Sequence, residues 1–517
     1  MNFLLFWLRR YKYKSNPKLQ SKQNKKHEEQ DNAKTSSDLA VNLAELRSRF
    51  YETPDLIVRP FYSQQLKCKV ALCYLDGLTD KNALNTYILR PLMFTDNKEE
   101  EALVNIGDIK YIRKWEQIDD SLLNGFSLLF IEGNSQVTIY NTQGWPQRAI
   151  EDPQLEASIK GGHQGFVETG GKNIALIRRY VTDRNLKIRE LKIGKRAEST
   201  ISILYIADIA RPELLKMLEA RIRKVDVDFI LNTGELAELI EDNPYSPFPQ
   251  FGLTERPDAA ASQLMQGRMC IVVDRSPSVI IAPMTMTAFF QSVDDYSTRW
   301  LTASFIRLLR FFAFFVAVFL PALYIAVISF NYEIIPLNLL LSIGESRGQV
   351  PFPPILEALI MELTLEMLRE AGIRLPAPIG QTVGIVGGIV IGQTAVQAGI
   401  VSNIMVVVVA LTGISSFIIP NYDMSSAIRL IRFPMMLIAS IFGVFGVALG
   451  WMILIAHLIS LESLGTPYGS PLAPFRFKDM KDTFIRLPLW TMKSRPTSAR
   501  PIQDQRAGNS QPKGNEK

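Results

Sequence analysis

Apolar positions are spread unevenly along the chain, and the spacing changes character near residue 311. Upstream, short β-rich runs alternate with polar turns and helical stretches, as half-buried strands and amphipathic helices require. Residues 39–50 (LAVNLAELRSRF) carry helical periodicity and lead into the first fold. Downstream come long apolar runs at 311–330, 382–401, 403–419 and 433–459. About twenty residues at 1.5 Å rise cross a bilayer core of about 30 Å, so these runs are spanning candidates. The pattern predicts a multi-domain chain: a cytoplasmic α/β region of two similar subdomains, followed by an α-helical transmembrane domain.

The two subdomains follow from internal repetition. Residues 70–84 (VALCYLDGLTDKNAL) align with 201–215 (ISILYIADIARPELL), each a β-rich run ending in Tyr, an acidic residue and a helix onset. Residues 125–139 align with 267–281, each a strand, a polar turn and a second strand. The expected divisions are a basic flexible arm and lead-in helix at 1–50, α/β subdomains at 51–185 and 186–300, a membrane domain of four or five spans at 301–460, and a membrane-proximal turn with a basic tail at 461–517. Residues 12–34 hold almost no large apolar side chain and cannot bury enough surface to order themselves.

The run at 382–401 has no charged side chain. At about 100° per residue, Gly384, Gly388, Gly392, Ala395 and Gly399 fall on one stripe suited to close helix packing. Val386, Val390, Gln393 and Gln397 fall on the opposite side. Two readings of the amides stand: hydrogen bonds to adjacent helices, or exposure to water in a narrow, weakly polar pore. Just upstream, Glu362, Glu366 and Glu370 share a helical face with Arg369. Here too there are two readings, an amphipathic helix at the interface or the acidic wall of an aqueous vestibule that attracts cations.

Arg299, Arg307 and Arg310 before the first long run place the upstream region in the cytoplasm. Residues 334–343 suggest a short interfacial helix. The topology does not close neatly: five crossings put the Arg429/Arg432 loop inside but leave the basic tail outside, four put the tail inside but that loop outside, and re-entry of residues 461–475 (LESLGTPYGSPLAPF) would reconcile five crossings with a cytoplasmic tail.

Composition removes several function classes. The formal charge of +6 sits at the tails and beside the long runs, so no nucleic-acid partner is expected. Three cysteines, Cys68, Cys73 and Cys270, do not make a disulfide framework or zinc site and suit a reducing compartment. Neither GxGxxG nor a Walker loop follows a strand, and no metal cluster or nucleophile elbow is present. The charges Arg148, Glu151, Glu156, Lys160, Glu168, Arg178 and Arg179 around His163 suit ion pairs or a subunit contact better than acid–base chemistry. No enzyme activity, cofactor or metal is expected.

Separated motifs then carry a family resemblance: Leu75-Asp76-Gly77-Leu78, Asn173 with Ile177-Arg178-Arg179, Thr254-Glu255-Arg256-Pro257-Asp258, Asp295-Tyr296, Pro351-Phe352-Pro353-Pro354 through Glu357, Glu362 and Arg369-Glu370-Ala371-Gly372, Val390-Ile391-Gly392-Gln393 with Ala398-Gly399, and Leu472-Ala473-Pro474-Phe475. Across residues 57–496 the chain resembles the A subunit of spore-germination nutrient receptors, the GerA family. One departure is Gly161-Gly162-His163-Gln164-Gly165-Phe166, where the family usually has Gly-Pro-basic-Glu-Gly-Phe. The resemblance implies a multi-pass protein of the spore inner membrane, a transporter-like B subunit and a lipoprotein C subunit as partners, and a pentameric ring enclosing a nutrient-gated cation channel. It leaves two alternatives, the related stage V sporulation protein that amplifies ion release and a secondary transporter. The latter usually shows two related membrane halves, and no such repeat is found here.

Overall fold

The computed structural model describes residues 34–94, 109–144, 156 and 160–508. The expected arm at 12–33, together with Arg148 and Glu151, lies outside them. The first folded unit begins with α1 (Leu39–Arg49), capped by the Asp38 carboxylate on the amides of Ala40 and Val41. Its sheet contains β1 (Leu56–Ser63), β2 (Cys68–Leu75), β3 (Ile109–Ile112), β4 (Ser127–Ile131) and β5 (Val137–Tyr140), with α2 (Trp115–Leu123) between β3 and β4. After α3 (Gly170–Tyr180) comes the second sheet. It is built from β6 (Leu186–Ile193), β7 (Ser199–Ile206), β8 (Gly252–Thr254), β9 (Met269–Val273) and β10 (Val279–Ala282), with α4 (Pro212–Lys224), α5 (Thr233–Ile240) and α6 (Pro257–Leu264).

The strand orders β1-β2-β4-β5-β3 and β6-β7-β9-β10-β8 follow one scheme, and every neighbouring pair is antiparallel. The repeat read from sequence is therefore present as topology. Alternation explains the layering, because successive side chains leave a strand on opposite faces. Val70 and Leu72 pack on Leu84, Ile88 and Leu92, whereas Ala71, Cys73 and Leu75 pack on α1 and α2 through Leu46 and Ile118. In the second sheet Ile201 and Ile203 meet Leu214 and Leu218 of α4, while Leu204 and Ile206 meet α3 and α6. Each fully buried Leu or Ile contributes about 1.5–3 kcal/mol, so a helical layer on both faces supplies most of each unit's stability.

Helix α3 joins the two units. Ala175 belongs to the first core and Ile174, Leu176 and Ile177 to the second. Arg178, 2% exposed, forks onto both oxygens of the Asp55 carboxylate. Asp119 accepts from Arg49 and Arg184, each at 3.1 Å. Between the units lies a cleft of about 680 Å³ that includes Glu52, Arg189 and Glu219.

The helical region comprises α7 (Trp300–Ser329), α8 (Leu337–Arg347), α9 (Pro354–Arg374), α10 (Ala377–Gln397), α11 (Asn403–Phe417) and α12 (Tyr422–Ser460). Among the described residues α7 and α12 are long and apolar enough to cross a membrane, and α11 is a shorter apolar helix. Pro321 does not interrupt α7. Its ring supplies no N–H for the carbonyl of residue 317. That carbonyl instead accepts from Arg432 Nε at 2.9 Å, which leaves the helix continuous.

Two expectations fail in α12. The run at 433–459, read as one pass, reverses at Gly443, whose φ of 61° and ψ of −143° are not helical. A methyl placed on Gly450 would lie 2.5 Å from Met435 Sδ. Along an unbroken helix those two residues would be about 22 Å apart, so the limbs 422–442 and 444–460 lie side by side. Arg429 and Arg432, read as a loop, are inside the first limb. Gly443 sits against Phe330 and Asn331 at the far end of α7, and His457, in the last turn, bonds Ser246 of the second α/β unit at 2.9 Å. The first limb therefore runs alongside α7 and the second returns to the sheets.

Residues 461–475 do not turn back among the apolar helices. They form β11 (Glu462–Ser463) and β12 (Thr466–Pro467), and Leu464 enters the core of the second sheet. The tail then crosses the start of α7, where Ser304 and Arg486 exchange hydrogen bonds. It continues to Ile502, whose amide donates to the Ile209 carbonyl at 2.8 Å.

Candidate functional site

The residues singled out by sequence lie on α9 and α10, an antiparallel pair packed on α7, α11 and α12. Proline at the first turn of each helix fixes φ where no amide partner is needed. The pair closes tightly at two places, where a Cβ on Gly380 would come within 2.8 Å of the Gly372 carbonyl and one on Gly387 within 2.8 Å of Leu368. Gly392 faces Val406 of α11 at 3.8 Å from an ideal Cβ, and Ala395 packs on the helical core. Gly384 and Gly388, from the same stripe, meet nothing within 4 Å. Gly399 ends the helix with a φ of +67° beside the Gln349 carbonyl, a conformation that favours glycine.

On the other side of α10, Val390 is 53% exposed, and the side chains of Gln393 and Gln397 are exposed with no hydrogen bond to another described residue. The side chain of Val386 lies outside the described residues. In the single chain, then, an almost wholly apolar helix leaves one face of amides and branched side chains uncovered.

The glutamates of α9 do not share one environment. Glu357 is fully buried: its carboxylate accepts from the Ser402 amide at 3.0 Å and pairs with Arg347 at 3.3 Å. Glu362 is 2% exposed and paired with Arg432. Glu366 is half exposed between Arg369 and Arg429, and Glu370 pairs with Arg374 at 2.6 Å in the open. The face thus grades from a buried ion pair near the middle of α9 to an exposed one at its end, and only the lower part meets solvent in one copy. Arg429 and Arg432 are the ion-pair partners of these glutamates, a pairing that the sequence reading did not assign. Their signal was available, since two arginines three apart in an apolar run require acidic partners, and Glu362 and Glu366 lie four apart on the facing helix.

A second charged cluster fixes α7 to the sheets. Arg307, fully buried, donates to Asp295 at 2.9 Å and to Asp482 of the tail at 2.7 Å, and Arg310 shares Asp295. In the second α/β unit, burial pushes the Glu241 carboxyl up to about 7, helped by the charge of Asp423, against the hydrogen bonds it accepts from Gln250 and Phe251. Among the described residues no group of His, Cys, Asp and Glu is arranged to hold a metal.

Comparison with known proteins places this architecture. Residues 44–498 match the family described as Bacillus/Clostridium GerA spore germination protein. Spore germination protein KA of Bacillus subtilis (strain 168) is 40% identical over 485 residues, 92% of this chain and 89% of that protein. Spore germination protein GerLA of Bacillus cereus is 38% identical, over 88% of this chain and 94% of its own length. An uncharacterized membrane protein of Bacillus subtilis (strain 168), YfkQ, is 41% identical over 91% and 93%. The crystal structure of the N-terminal domain of the A subunit of the Bacillus megaterium spore germinant receptor GerK3 is 28% identical, covers 48% of this chain and 96% of that one, and gives a TM-score of 0.39. With a match that takes in both sheets, the helical region and most of the tail, the chain belongs to the GerA family of spore germination proteins.

Proposed function

We propose that the chain is the A subunit of a nutrient germinant receptor in the spore inner membrane, and that several copies, five by resemblance, line a cation path with α10. Val386, Val390, Gln393 and Gln397 face that path, and Gly384 and Gly388 receive the neighbouring copy. The carrying observation is the uncovered α10 face, because an apolar helix with two unbonded amides is stable in a membrane only when protein or water covers them. The exposed end of the α9 face, Glu366 and Glu370, then lies at the mouth of the path and concentrates cations, while Glu362 braces the wall behind it.

The chain direction agrees with this reading. Counting α7, α9, α10, α11 and the two limbs of α12 gives six traverses. Six traverses return the basic tail to the side of the sheets, the cytoplasm, without a re-entrant turn. The B subunit, transporter-like, and the lipoprotein C subunit complete the receptor, with nutrient recognition assigned to the former.

Cation release from spores tests the proposal. Gly388→Leu is expected to abolish assembly, and Gln393→Ala to change the rate of release while the complex remains intact. Unchanged release from an intact Gln393→Ala receptor would refute the assignment.

A further inference from the structure

Where the second sheet meets the helical region there is a partly open cavity of about 440 Å³, lined by β8, α6, the first turns of α7 and the turn before α12. Leu253, Ile281, Phe289 and Ile306 give it an apolar body, and Gln263 and Met284 line one wall. Immediately behind that wall is Arg268, 3% exposed. Its Nη1 donates to Gln263 Oε1 and lies 3.2 Å from Met284 Sδ, while its Nε is buried and bonds nothing.

Among the described residues no carboxylate pairs with Arg268. The acidic groups of the cavity are committed elsewhere: Asp294 to Arg256 at 3.1 Å, and Asp295 to Arg307 and Arg310 at 2.9 Å. Glu156 accepts from Thr254 Oγ1 at 2.5 Å, and burial pushes its carboxyl up to about 7, so it too is a poor counter-charge. Burial drives the Arg268 guanidinium down to about 10. A guanidinium removed from water with a neutral amide and a thioether for partners is a costly arrangement, and an arriving anion relieves it. Two side chains that touch it form the cavity wall, and neither Gln263 nor the flexible Met284 needs the backbone to move in order to admit a contact.

We propose that this cavity binds a small organic anion, its charge on Arg268 and a short apolar body on Leu253, Ile281 and Phe289. The anion is either a dissolved organic acid or the headgroup of an anionic lipid, since Ile306 belongs to the first turns of α7. The site is independent of the path along α10 and sits where an occupant touches the second sheet, α7 and the turn before α12 together.

The test uses the full chain in phosphatidylcholine nanodiscs, titrated with sodium butyrate against sodium chloride, and a parallel preparation containing phosphatidylglycerol. A saturable rise of a few degrees in melting temperature with butyrate alone identifies a dissolved acid, and a rise in the phosphatidylglycerol discs alone identifies lipid. Arg268→Met is expected to lose the response while melting no lower than the parent without ligand, because it removes a charge that nothing neutralises. Ser262→Trp, on the α6 side of the cavity, leaves Arg268 in place and is expected to lose the response by filling the space. The inference fails if neither butyrate nor phosphatidylglycerol raises the parent's melting temperature, if both variants respond as the parent does, or if Arg268→Met melts well below it.

Discussion

Consider the loss of the Glu362 carboxylate. Glu362 and Arg432 are 2% and 3% exposed in their side chains, and Arg432 also donates to the Ala317 carbonyl released by Pro321. Glu362→Leu strands a buried guanidinium, a change that costs about 3–5 kcal/mol. Arg432→Leu strands the carboxylate and also leaves the Ala317 carbonyl without a donor, which adds about 1–3 kcal/mol. The double substitution removes both charges and keeps only the carbonyl penalty, so it should be milder than either single change. Adding Pro321→Ala to the double variant restores an amide to the Ala317 carbonyl and should recover most of the remainder. Thermal or denaturant unfolding of the purified chain in one detergent measures all four. The reasoning is refuted if the double variant is as unstable as the sum of the singles, or if Pro321→Ala brings no recovery in that background.

Two further outcomes follow from local geometry and charge. Gly443→Ala places a Cβ 3.0 Å from that of Phe330 at a φ of +61° and should cost about 1–3 kcal/mol, whereas Gly344→Ala, which meets nothing within 4 Å, should be neutral or slightly stabilising; melting curves of the two variants compare them. Glu241, raised to about 7 from an ordinary value of 4.5, contributes stability that is complete below pH 4.5 and lost as pH rises through 7. Glu241→Gln should therefore flatten the stability profile between pH 4.5 and 7 and be the more stable protein at pH 7.5; an unchanged slope would contradict this.

The sheets were legible because alternation is a local property: Val70-Ala71-Leu72-Cys73 declares two buried faces wherever the strand is placed, and the turn after it, at residue 76, repeats at residue 207. The apolar helices were legible for the same reason. The reversal at Gly443 was not, because glycines at 443, 446 and 450 read equally well as a packing stripe on one long helix, and no charge or proline marks the turn. The partners of Glu362 and Glu366 were obscured by treating Arg429 and Arg432 as a loop that reports orientation rather than as cations that donate to carboxylates on a facing helix. The docking of residues 461–507 depends on backbone carbonyls, such as that of Ile209, and on single side chains such as Asp482, which leave no periodic trace.

The first and last helices of the apolar bundle are anchored to one and the same body. Arg307 grips α7 to Asp295 and Asp482, and Leu464, a few residues past α12, is embedded beneath the second sheet. The bundle is thus a loop of chain held at both ends like a handle. A twist of the second sheet is therefore delivered to the first and last helices together, while α9, α10 and α11 feel it through the side chains that lean on them.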